Sequence, residues 1–272
     1  MCTLTLAWQV FDEVPVAVAA NRDESVDRES RPPAVYDEKP LVVAPSDAEA
    51  GGTWIGANEH GVFAGITNRW TGADLAGERS RGLLVADVLE ATSAAEAGSI
   101  IEAAVTEDEY DAFYLVAADE SNAYCYRWDG TLSLTEFEPG VHVVVNVAVD
   151  DTVDIPAVRP DIAREQAANA RAVREELAVP TDADGTTSES VDDWLERAGD
   201  ILGTHEYGVC IHRGSFGTRS SSLLAVGPER LRYAFASGPP CEAPYEPVAL
   251  EHLDELEGGG EGDSGFDVEG QV

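Results

Sequence analysis

The beginning of the chain predicts a hairpin that places a cysteine beside a charged cluster. Residues 2–6 alternate between polar and apolar, which is the period of a half-buried strand. A second apolar run, residues 16–20, follows a turn around residues 12–13 and leads into Asn21-Arg22-Asp23-Glu24. Pairing across this turn joins positions whose numbers sum to about 24 or 25, so Cys2 is expected opposite Arg22 or Asp23.

This cysteine could carry the groups of an N-terminal nucleophile. Removal of Met1 would leave Cys2 with a thiol and a free α-amine, whose ordinary pKa of about 7.7–8.0 suits a general base. An arginine within roughly 4–6 Å would favour the thiolate, and an aspartate could orient the amine. Cys2, Arg22 and Asp23 are therefore candidate catalytic residues. The alternative is that Arg22 and Asp23 form a solvated ion pair at a strand end.

Three later positions offer further candidates. Asn146 ends a Val-rich strand predicted at 141–147, and its amide could donate to a developing oxyanion or be satisfied by nearby backbone. Arg219 follows a glycine-containing turn and could reach into a pocket or lie on the surface. Trp54 and Trp70 could line an apolar pocket, although packing in the core is the simpler role for both.

The other cysteines and the histidines show no spacing typical of a metal site. No C-x-x-C pair or His-rich ligand spacing occurs, so we expect no structural zinc and no other metal. Cys125 and Cys210 lie in apolar, strand-like runs and are interpreted as inert core residues. A disulfide among these two and Cys241 stays open. The histidines have no triad-like context and are interpreted as structural: His60, His142, His205, His212 and His252.

The charge of the chain indicates its environment more than its function. The 272 residues include 52 Asp and Glu against 17 Lys and Arg, the net charge is −35, and Lys39 is the only lysine. This composition is typical of halophilic proteins, in which salt screens the repulsion of an acidic surface. It argues against nucleic acid as a partner and against attraction to anionic lipid, because both need basic patches.

The location of the protein is predicted from what the sequence lacks. No apolar run approaches the roughly 20 residues of a membrane helix, and the N-terminus has no signal-peptide pattern. Widely spaced cysteines suit a reduced compartment. We therefore expect a cytoplasmic protein without membrane insertion, and the sequence leaves its oligomeric state open.

The order of predicted elements favours the α+β class. Strands are predicted at the start, in the middle and at the end of the chain, and helices fall in two intervening pairs at about 81–91, 93–105, 160–177 and 191–202. Two antiparallel sheets between helical layers, an αββα sandwich, would satisfy this order within a single domain of residues 1–250. The Glu-, Asp- and Gly-rich residues 251–272 are expected to form a disordered tail.

Several short motifs occur in an order that resembles a known family. They are Met1-Cys2, Ala20-Asn21-Arg22-Asp23-Glu24, Glu49-Ala50-Gly51-Gly52-Thr53-Trp54-Ile55-Gly56, Thr67-Asn68, Ser80-Arg81-Gly82, Val145-Asn146 and Gly217-Thr218-Arg219-Ser220-Ser221. Over about residues 1–236 the chain resembles the NRDE family, which includes proteins like transport and Golgi organisation protein 2. The resemblance implies an N-terminal-nucleophile hydrolase-like αββα fold, related to the cholylglycine hydrolase and penicillin V acylase group.

The resemblance also implies roles for individual residues. Cys2 would be the nucleophile, Arg22 and Asp23 would support it, Asn146 would help to form the oxyanion hole, and Arg219 would contact substrate. From the same motifs, Asn21, Trp54 and Asn68 are added as candidate substrate-binding residues.

Three functions are compatible with these residues. The first is an amidohydrolase or acyl hydrolase that uses Cys2, without a cofactor, on a non-peptide amide or thioester of a small amphipathic molecule. The second is a carrier of haem or acyl lipid that uses the same cleft without turnover, with Cys2, His60 or His142 as candidate axial contacts to haem. The third is a scaffold without a ligand.

Overall fold

Two antiparallel sheets stacked face to face form the centre of the molecule. The computed structural model describes residues 2–180, 187–227 and 230–249. Within them the strands are β1 (Thr3–Phe11), β2 (Val14–Ser25), β3 (Ser30–Glu38), β4 (Leu41–Asp47), β5 (Ile55–Asn58), β6 (Phe63–Asn68), β7 (Phe113–Ala118), β8 (Ala123–Trp128), β9 (Leu132–Glu136), β10 (Gly140–Val145), β11 (Ala148–Val149), β12 (Thr152–Val153), β13 (His212–Arg213), β14 (Phe216–Gly227), β15 (Arg230–Ala236) and β16 (Glu246–Pro247).

Helices cover the outer face of each sheet. They are α1 (Arg81–Val88), α2 (Ala94–Glu107), α3 (Pro160–Leu177) and α4 (Val191–Gly203). The first sheet has the strand order β12-β11-β10-β1-β2-β14-β15-β16, with β13 paired to β14, and α3 and α4 pack on it. The second sheet has the order β3-β4-β5-β6-β7-β8-β9, and α1 and α2 pack on it. This is the predicted αββα arrangement.

The alternation of side chains along the strands divides the core into three layers. Leu4, Leu6 and Trp8 of β1 face the second sheet, where they meet Ile55 and Phe63. The intervening residues of β1 face α3 and α4. The predicted disordered tail, 251–272, lies outside the described residues. Among those described, no helix has the length and apolar character of a membrane span.

The first hairpin has the predicted register. Pairs from Thr3 with Asn21 to Trp8 with Val16 all sum to 24, and the turn falls at residues 12–13. The register shifts only after Trp8, where Gln9 has a left-handed φ of 50°. Continued by one residue, this register places Cys2 opposite Arg22.

Two segments depart from what their residue types suggest. Residues 30–33 belong to β3, which tolerates its two prolines because it is an edge strand. The segment 207–212 is mostly apolar, but the described ladder includes only His212 of it, and residues 205–208 form a turn. The apolar residues before His212 are instead held by side-chain hydrogen bonds, from Asn21 to the Val209 carbonyl and from the Ile211 N–H to Thr218.

Gly52 lets the loop before β5 approach the start of α1. Its φ is +73°, and a Cβ built there would lie 2.3 Å from the carbonyl carbon of Gly82. The N–H of Thr53 donates to the Gly82 carbonyl at 2.9 Å. The loop and the helix therefore meet through their backbones, which explains the glycines in this motif.

We expect Gly52→Ala to lower the free energy of unfolding by about 3 kcal/mol, because a Cβ would meet both an unfavourable φ and a backbone clash. Gly72→Ala is the matched control, since nothing lies within 4 Å of its Cβ position. Its effect should stay within about 0.5 kcal/mol. Urea unfolding of both variants measures the difference, and equal losses would contradict this account of Gly52.

Candidate active site

Cys2 lies beside a small cavity between the two sheets. Leu4 and Ala20 of the first sheet and Trp54, Ile55 and Ile66 of the second line this cavity with it. The cavity volume is about 20 Å³, which is room for about one water molecule. A substrate with an acyl chain therefore requires these walls to move apart.

The backbone nitrogen of Cys2 is held by Asn146. It donates to Asn146 Oδ1 at 3.1 Å, and Gln166 Nε2 of α3 donates to the same oxygen at 2.9 Å. Asn146 Nδ2 donates to the Asn68 carbonyl. The sequence predicted that the Asn146 amide N–H would face an oxyanion. In the structure its oxygen instead faces the atom that would become the α-amine, and one of its N–H groups is already engaged.

Asp23 is buried beside the thiol. The carboxylate is 3% exposed, and its Oδ1 accepts a hydrogen bond of 2.6 Å from Thr218 Oγ1. The Cys2 thiol contacts the Asp23 carbonyl oxygen at 3.8 Å. Burial raises the pKa of Asp23 to about 7, even though the positive charge at the amino terminus and the Thr218 hydroxyl both act to lower it.

Arg22 lies on the inter-sheet side with Cys2. Its guanidinium carbon is 4.3 Å from the centre of the Trp54 ring, and its Nη2 is 3.4 Å from Asp47 Oδ2. Its Nη1 is buried and has no hydrogen-bond partner among the described residues. Arg22 and Trp54 both line the cavity at Cys2, and their roles in catalysis and substrate binding stay predictions.

Arg22 alone does not lower the pKa of the Cys2 thiol below its ordinary value. Burial raises the pKa of the Cys2 thiol above its ordinary value and is the largest influence on it. The charge of Arg22 acts in the predicted direction, lowering the pKa, but it is outweighed. Cys2 therefore needs a base to become a nucleophile.

Asn21 is among the residues that line the cavity, but its side chain is bonded elsewhere, and its role in binding substrate stays a prediction. Its Nδ2 donates to the carbonyls of Leu202 and Val209, at 3.0 Å each, and the residue is 2% exposed. Successive strand residues point to opposite faces, so Asn21 turns toward the helical layer while Arg22 turns toward the cavity. Asn21 anchors the end of α4 and the segment that follows it.

The same alternation places the side chains of Thr67 and Asn68 on opposite faces of β6, and the role of Asn68 in binding substrate stays a prediction. The side chain of Asn68 is exposed, and its carbonyl is the part that contacts Asn146. Thr67 is 2% exposed and lines the cavity, and its hydroxyl has no hydrogen-bond partner among the described residues. Counting every second residue from the buried Phe63 would have selected Thr67 from the sequence.

Arg219 lies at an irregularity in the pairing of β14 with β2. The register shifts between Thr218, which pairs with Asp23, and Ser220, which pairs with Arg22. Arg219 is partly exposed, and its Nε is buried without a partner among the described residues. It does not line the cavity at Cys2, so its role in binding substrate stays a prediction.

The two histidines considered as axial contacts are not placed for that role. His142 Nδ1 is 2.7 Å from Asp150 Oδ2, and its Nε2 is 2.8 Å from the Glu138 carbonyl, so both ring nitrogens are engaged. Its ring also stacks on Phe137. His60 is exposed in the turn between β5 and β6.

The interpretation of the other cysteines is right for one and wrong for another. Cys125 is buried in the core between the sheets, as expected. Cys210 is buried too, but it belongs to no strand, and its sulfur lies 3.4 Å from that of the exposed Cys241. This pair is part of a group of four potential ligands that the spacing rule did not detect.

Comparison with known families matches residues 1–235 to Transport and Golgi organisation 2. The Transport and Golgi organization 2 homolog of Mus musculus is 25% identical over 240 residues, which cover 79% of this chain and 86% of that protein. The corresponding homolog of Bos taurus is 31% identical over 156 residues, which cover 52% of this chain and 56% of that protein.

Solved structures with a similar fold include an acylase, a bile acid hydrolase and an acid amidase. Penicillin V acylase from Agrobacterium tumefaciens has a TM-score of 0.52 at 17% identity, covering 87% of this chain and 83% of that one. A mutant conjugated bile acid hydrolase from Clostridium perfringens has a TM-score of 0.55 at 11% identity, covering 93% and 94%. The Caenorhabditis elegans N-acylethanolamine-hydrolyzing acid amidase ortholog has a TM-score of 0.53 at 14% identity, covering 82% and 92%. These likenesses confirm the predicted fold.

We expect the wild-type protein to lose stability relative to Asp23→Asn as the pH rises from about 4 to about 7. Because burial raises the Asp23 pKa from 3.8 to about 7, the folded state favours the protonated carboxyl. That stabilisation is complete below the unfolded-state pKa and is lost as the pH passes the folded-state pKa. Asparagine keeps the acceptor for Thr218 and cannot ionise.

Urea unfolding of both proteins at constant molar salt tests this expectation. Between pH 5 and pH 8 the difference in unfolding free energy should grow by about 2–3 kcal/mol in favour of the variant. The remaining carboxylates are common to both proteins, so their repulsion cancels in the comparison. A difference that does not change with pH would show that Asp23 does not titrate in this range.

Proposed function

The chain belongs to the Transport and Golgi organisation 2 family, and we propose that it is an N-terminal cysteine hydrolase for a non-peptide amide or thioester of a small amphipathic molecule. The contact that carries the proposal is the 3.1 Å hydrogen bond from the Cys2 nitrogen to Asn146 Oδ1. Once Met1 is removed, this nitrogen is an α-amine held beside its own thiol. The shared fold with an acylase, a bile acid hydrolase and an acid amidase adds support.

The first half of the reaction forms an acyl-enzyme. The neutral α-amine of Cys2 takes the thiol proton, directly or through a water in the cavity, and the sulfur attacks the substrate carbonyl carbon. The tetrahedral oxyanion then collapses, the bond to the leaving amine or thiol breaks, and the α-ammonium returns the proton to that group. Water attacks the resulting thioester in the second half, which releases the acid and regenerates the thiol.

The α-amine is needed because burial suppresses the thiolate. The raised pKa of the Cys2 thiol leaves little of it ionised near neutral pH. Asn146 orients the amine by accepting one of its hydrogens, and Gln166 fixes Asn146 by donating to the same oxygen. The Asp23 carboxyl, whose charge also influences the thiol, favours the protonated amine that forms during attack.

Thr67 is the donor best placed to meet the oxyanion. Its buried hydroxyl lines the cavity and has no hydrogen-bond partner among the described residues. A buried hydroxyl without a partner costs about 1–3 kcal/mol, which a substrate oxygen could recover. The second N–H of Asn146 Nδ2 is a further donor at this site. Burial of these donors strengthens their interaction with developing charge.

The walls of the cavity suggest an amphipathic substrate. Leu4, Trp54 and Ile55 offer apolar contacts for an acyl chain. Arg22 offers a cation whose buried Nη1 donates to no described residue. The carrier alternative has less support, because His142 is fully engaged and His60 is exposed. Hydrolysis is therefore the function that these contacts favour.

An acyl β-lactone probe should label the purified protein at Cys2, because attack by this sulfur opens the lactone and leaves an acyl-enzyme. Intact mass should first show that Met1 is absent from the reactive population. Peptide mapping by mass spectrometry then locates the acyl group. Cys2→Ala should lose the labelling, and Cys125→Ala is the control because its thiol is buried away from the cavity and should change nothing.

Labelling of Cys2→Ala to the wild-type extent would overturn the proposal. A protein that retains Met1 and still hydrolyses the probe would remove the role of the α-amine. Binding of the acyl chain without an acyl-enzyme or turnover would instead support the carrier function.

We expect Thr67→Val to slow turnover by about 10²-fold without loss of stability, since an oxyanion donor is worth about 10²–10³ in kcat and this hydroxyl bonds to nothing described. Thr5→Val is the matched control. The Thr5 hydroxyl donates to the Ala19 carbonyl at 2.8 Å, so its loss should lower the free energy of unfolding by about 1–2 kcal/mol and leave kcat nearly unchanged. Steady-state kinetics and urea unfolding separate the two effects. Unchanged kcat in Thr67→Val would remove it from the mechanism.

A further inference from the structure

Two cysteines and two histidines meet in a cluster separate from the cavity at Cys2. They are His205, Cys210, His212 and Cys241, and one potential ligand atom of each lies within 4.8 Å of the others. The sulfurs of Cys210 and Cys241 are 3.4 Å apart. His212 Nε2 is 3.7 Å from the first sulfur and 3.1 Å from the second. The His205 ring lies 5.2 Å from the His212 ring, centre to centre.

We propose that this cluster binds a zinc ion with a Cys₂His₂ ligand set. Tetrahedral zinc, with Zn–S of about 2.3 Å and Zn–N of about 2.0–2.1 Å, places its ligand atoms about 3.3–3.8 Å from one another. Two of the three distances among Cys210, His212 and Cys241, 3.4 and 3.7 Å, fall within this range, and the third, 3.1 Å, lies just below it. Two thiolates and two neutral imidazoles also balance the charge of Zn²⁺. Four protein ligands leave no open position, so the site is structural and not catalytic.

The geometry favours a metal over a disulfide. A disulfide between Cys210 and Cys241 would need the sulfurs about 2.05 Å apart, well below the 3.4 Å that separates them. It would also give no reason for His212 to turn its Nε2 toward both sulfurs. Cys210 is buried while the other three ligands are exposed, so an ion could enter from solvent.

The spacing rule, which led us to expect no zinc site, did not select this ligand set because the fold, not the spacing, brings the four residues together. His205, Cys210 and His212 come from the segment between α4 and the short strand β13. Cys241 follows β15, which pairs with β14 farther along than the two residues of β14 that pair with β13. The separation of about thirty residues hides the set from motif rules.

The same segment is bonded to the proposed active site. Ile211, between two of the ligands, donates its N–H to Thr218 Oγ1 at 2.9 Å and accepts from the Thr218 N–H at 2.8 Å. Thr218 Oγ1 donates in turn to Asp23 Oδ1, and Asn21 Nδ2 donates to the Val209 carbonyl. An ion at the cluster would therefore hold the segment that positions Thr218 against Asp23.

A glycine makes this close contact possible. A Cβ at Gly217 would lie 2.4 Å from the Ile211 carbonyl oxygen. Gly217 pairs with His212 in the short ladder of β13 with β14. The segment that carries Cys210 and His212 thus lies directly against β14, the strand that carries Thr218. An ion bound there would affect Asp23 only by fixing the position of Thr218, its hydrogen-bond donor.

Zinc content of the purified, reduced full-length protein tests the site directly. Protein supplied with Zn²⁺ and then desalted should retain about one zinc per chain by elemental analysis. Co²⁺ in place of zinc should give the visible absorption and thiolate charge-transfer bands of a tetrahedral site. The double variant Cys210→Ser with Cys241→Ser should lose both signals. Cys125→Ala, which removes a thiol elsewhere, should keep them.

The position of the segment supplies a second measurement that does not depend on catalysis. Zinc should slow hydrogen exchange at the amides of Ile211 and Thr218 in wild type and leave it unchanged in the double variant. His205→Ala should weaken zinc binding at least tenfold in competition with a chelator, because one ligand remains unfilled. It also serves as a check if the double variant does not fold.

Two outcomes would overturn the zinc site. One is equal zinc content in wild type and in a folded double variant. The other is a Cys210–Cys241 disulfide, seen as a mass loss of two hydrogens, in protein that binds no zinc after reduction. Because metal content and exchange are read without substrate, an inactive protein that binds zinc would refute only the proposed hydrolase.

Discussion

The pairing of β1 with β2 is the constraint on which the site depends. Its register sums to 24 and so sets Cys2 against Arg22. Because successive strand residues point to opposite faces, Arg22 points toward the cavity, while Asn21 and Asp23 point toward the helical layer. There Asn21 bonds to Val209 and Asp23 accepts from Thr218, and these bonds hold the segment around Cys210. A slip of one residue would exchange these two faces, removing the cation from the cavity and the anchors from the segment.

A single amide links the three parts of the site. Asn146 accepts from the Cys2 nitrogen and from Gln166 of α3, and it donates to the Asn68 carbonyl of the second sheet. The backbone carbonyl of Asn146 also accepts from the Trp70 N–H at 2.9 Å. The first sheet, its helical layer and the second sheet therefore meet at one side chain, which is buried to 1% exposure. Movement of either sheet to admit substrate would act on the orientation of the nitrogen at Cys2.

How far the sequence predicts this protein depends on the range of the interaction. The first hairpin and the order of layers follow from short-range patterns, because alternation and turn residues are local properties. The same pattern distinguishes Thr67 from Asn68, although this requires counting from a residue known to be buried. The proposed ligand set of His205, Cys210, His212 and Cys241 is different, because it depends on which strands become neighbours in the sheet. Neither spacing nor composition contains that information.

The balance of burial and charge at Cys2 has a consequence for selectivity. If the charge of Arg22 had a larger effect on the Cys2 pKa than burial, the thiol would be ionised at rest. A resting thiolate could react with any electrophile that reached the cavity. Because burial is the stronger influence, the thiol stays protonated until a base takes its proton. The apolar walls that suppress the thiolate are also those that would bind an acyl chain, since Trp54 and Ile55 line the same space. In the proposed hydrolase, the residues that would select the substrate are therefore also those that restrain the nucleophile.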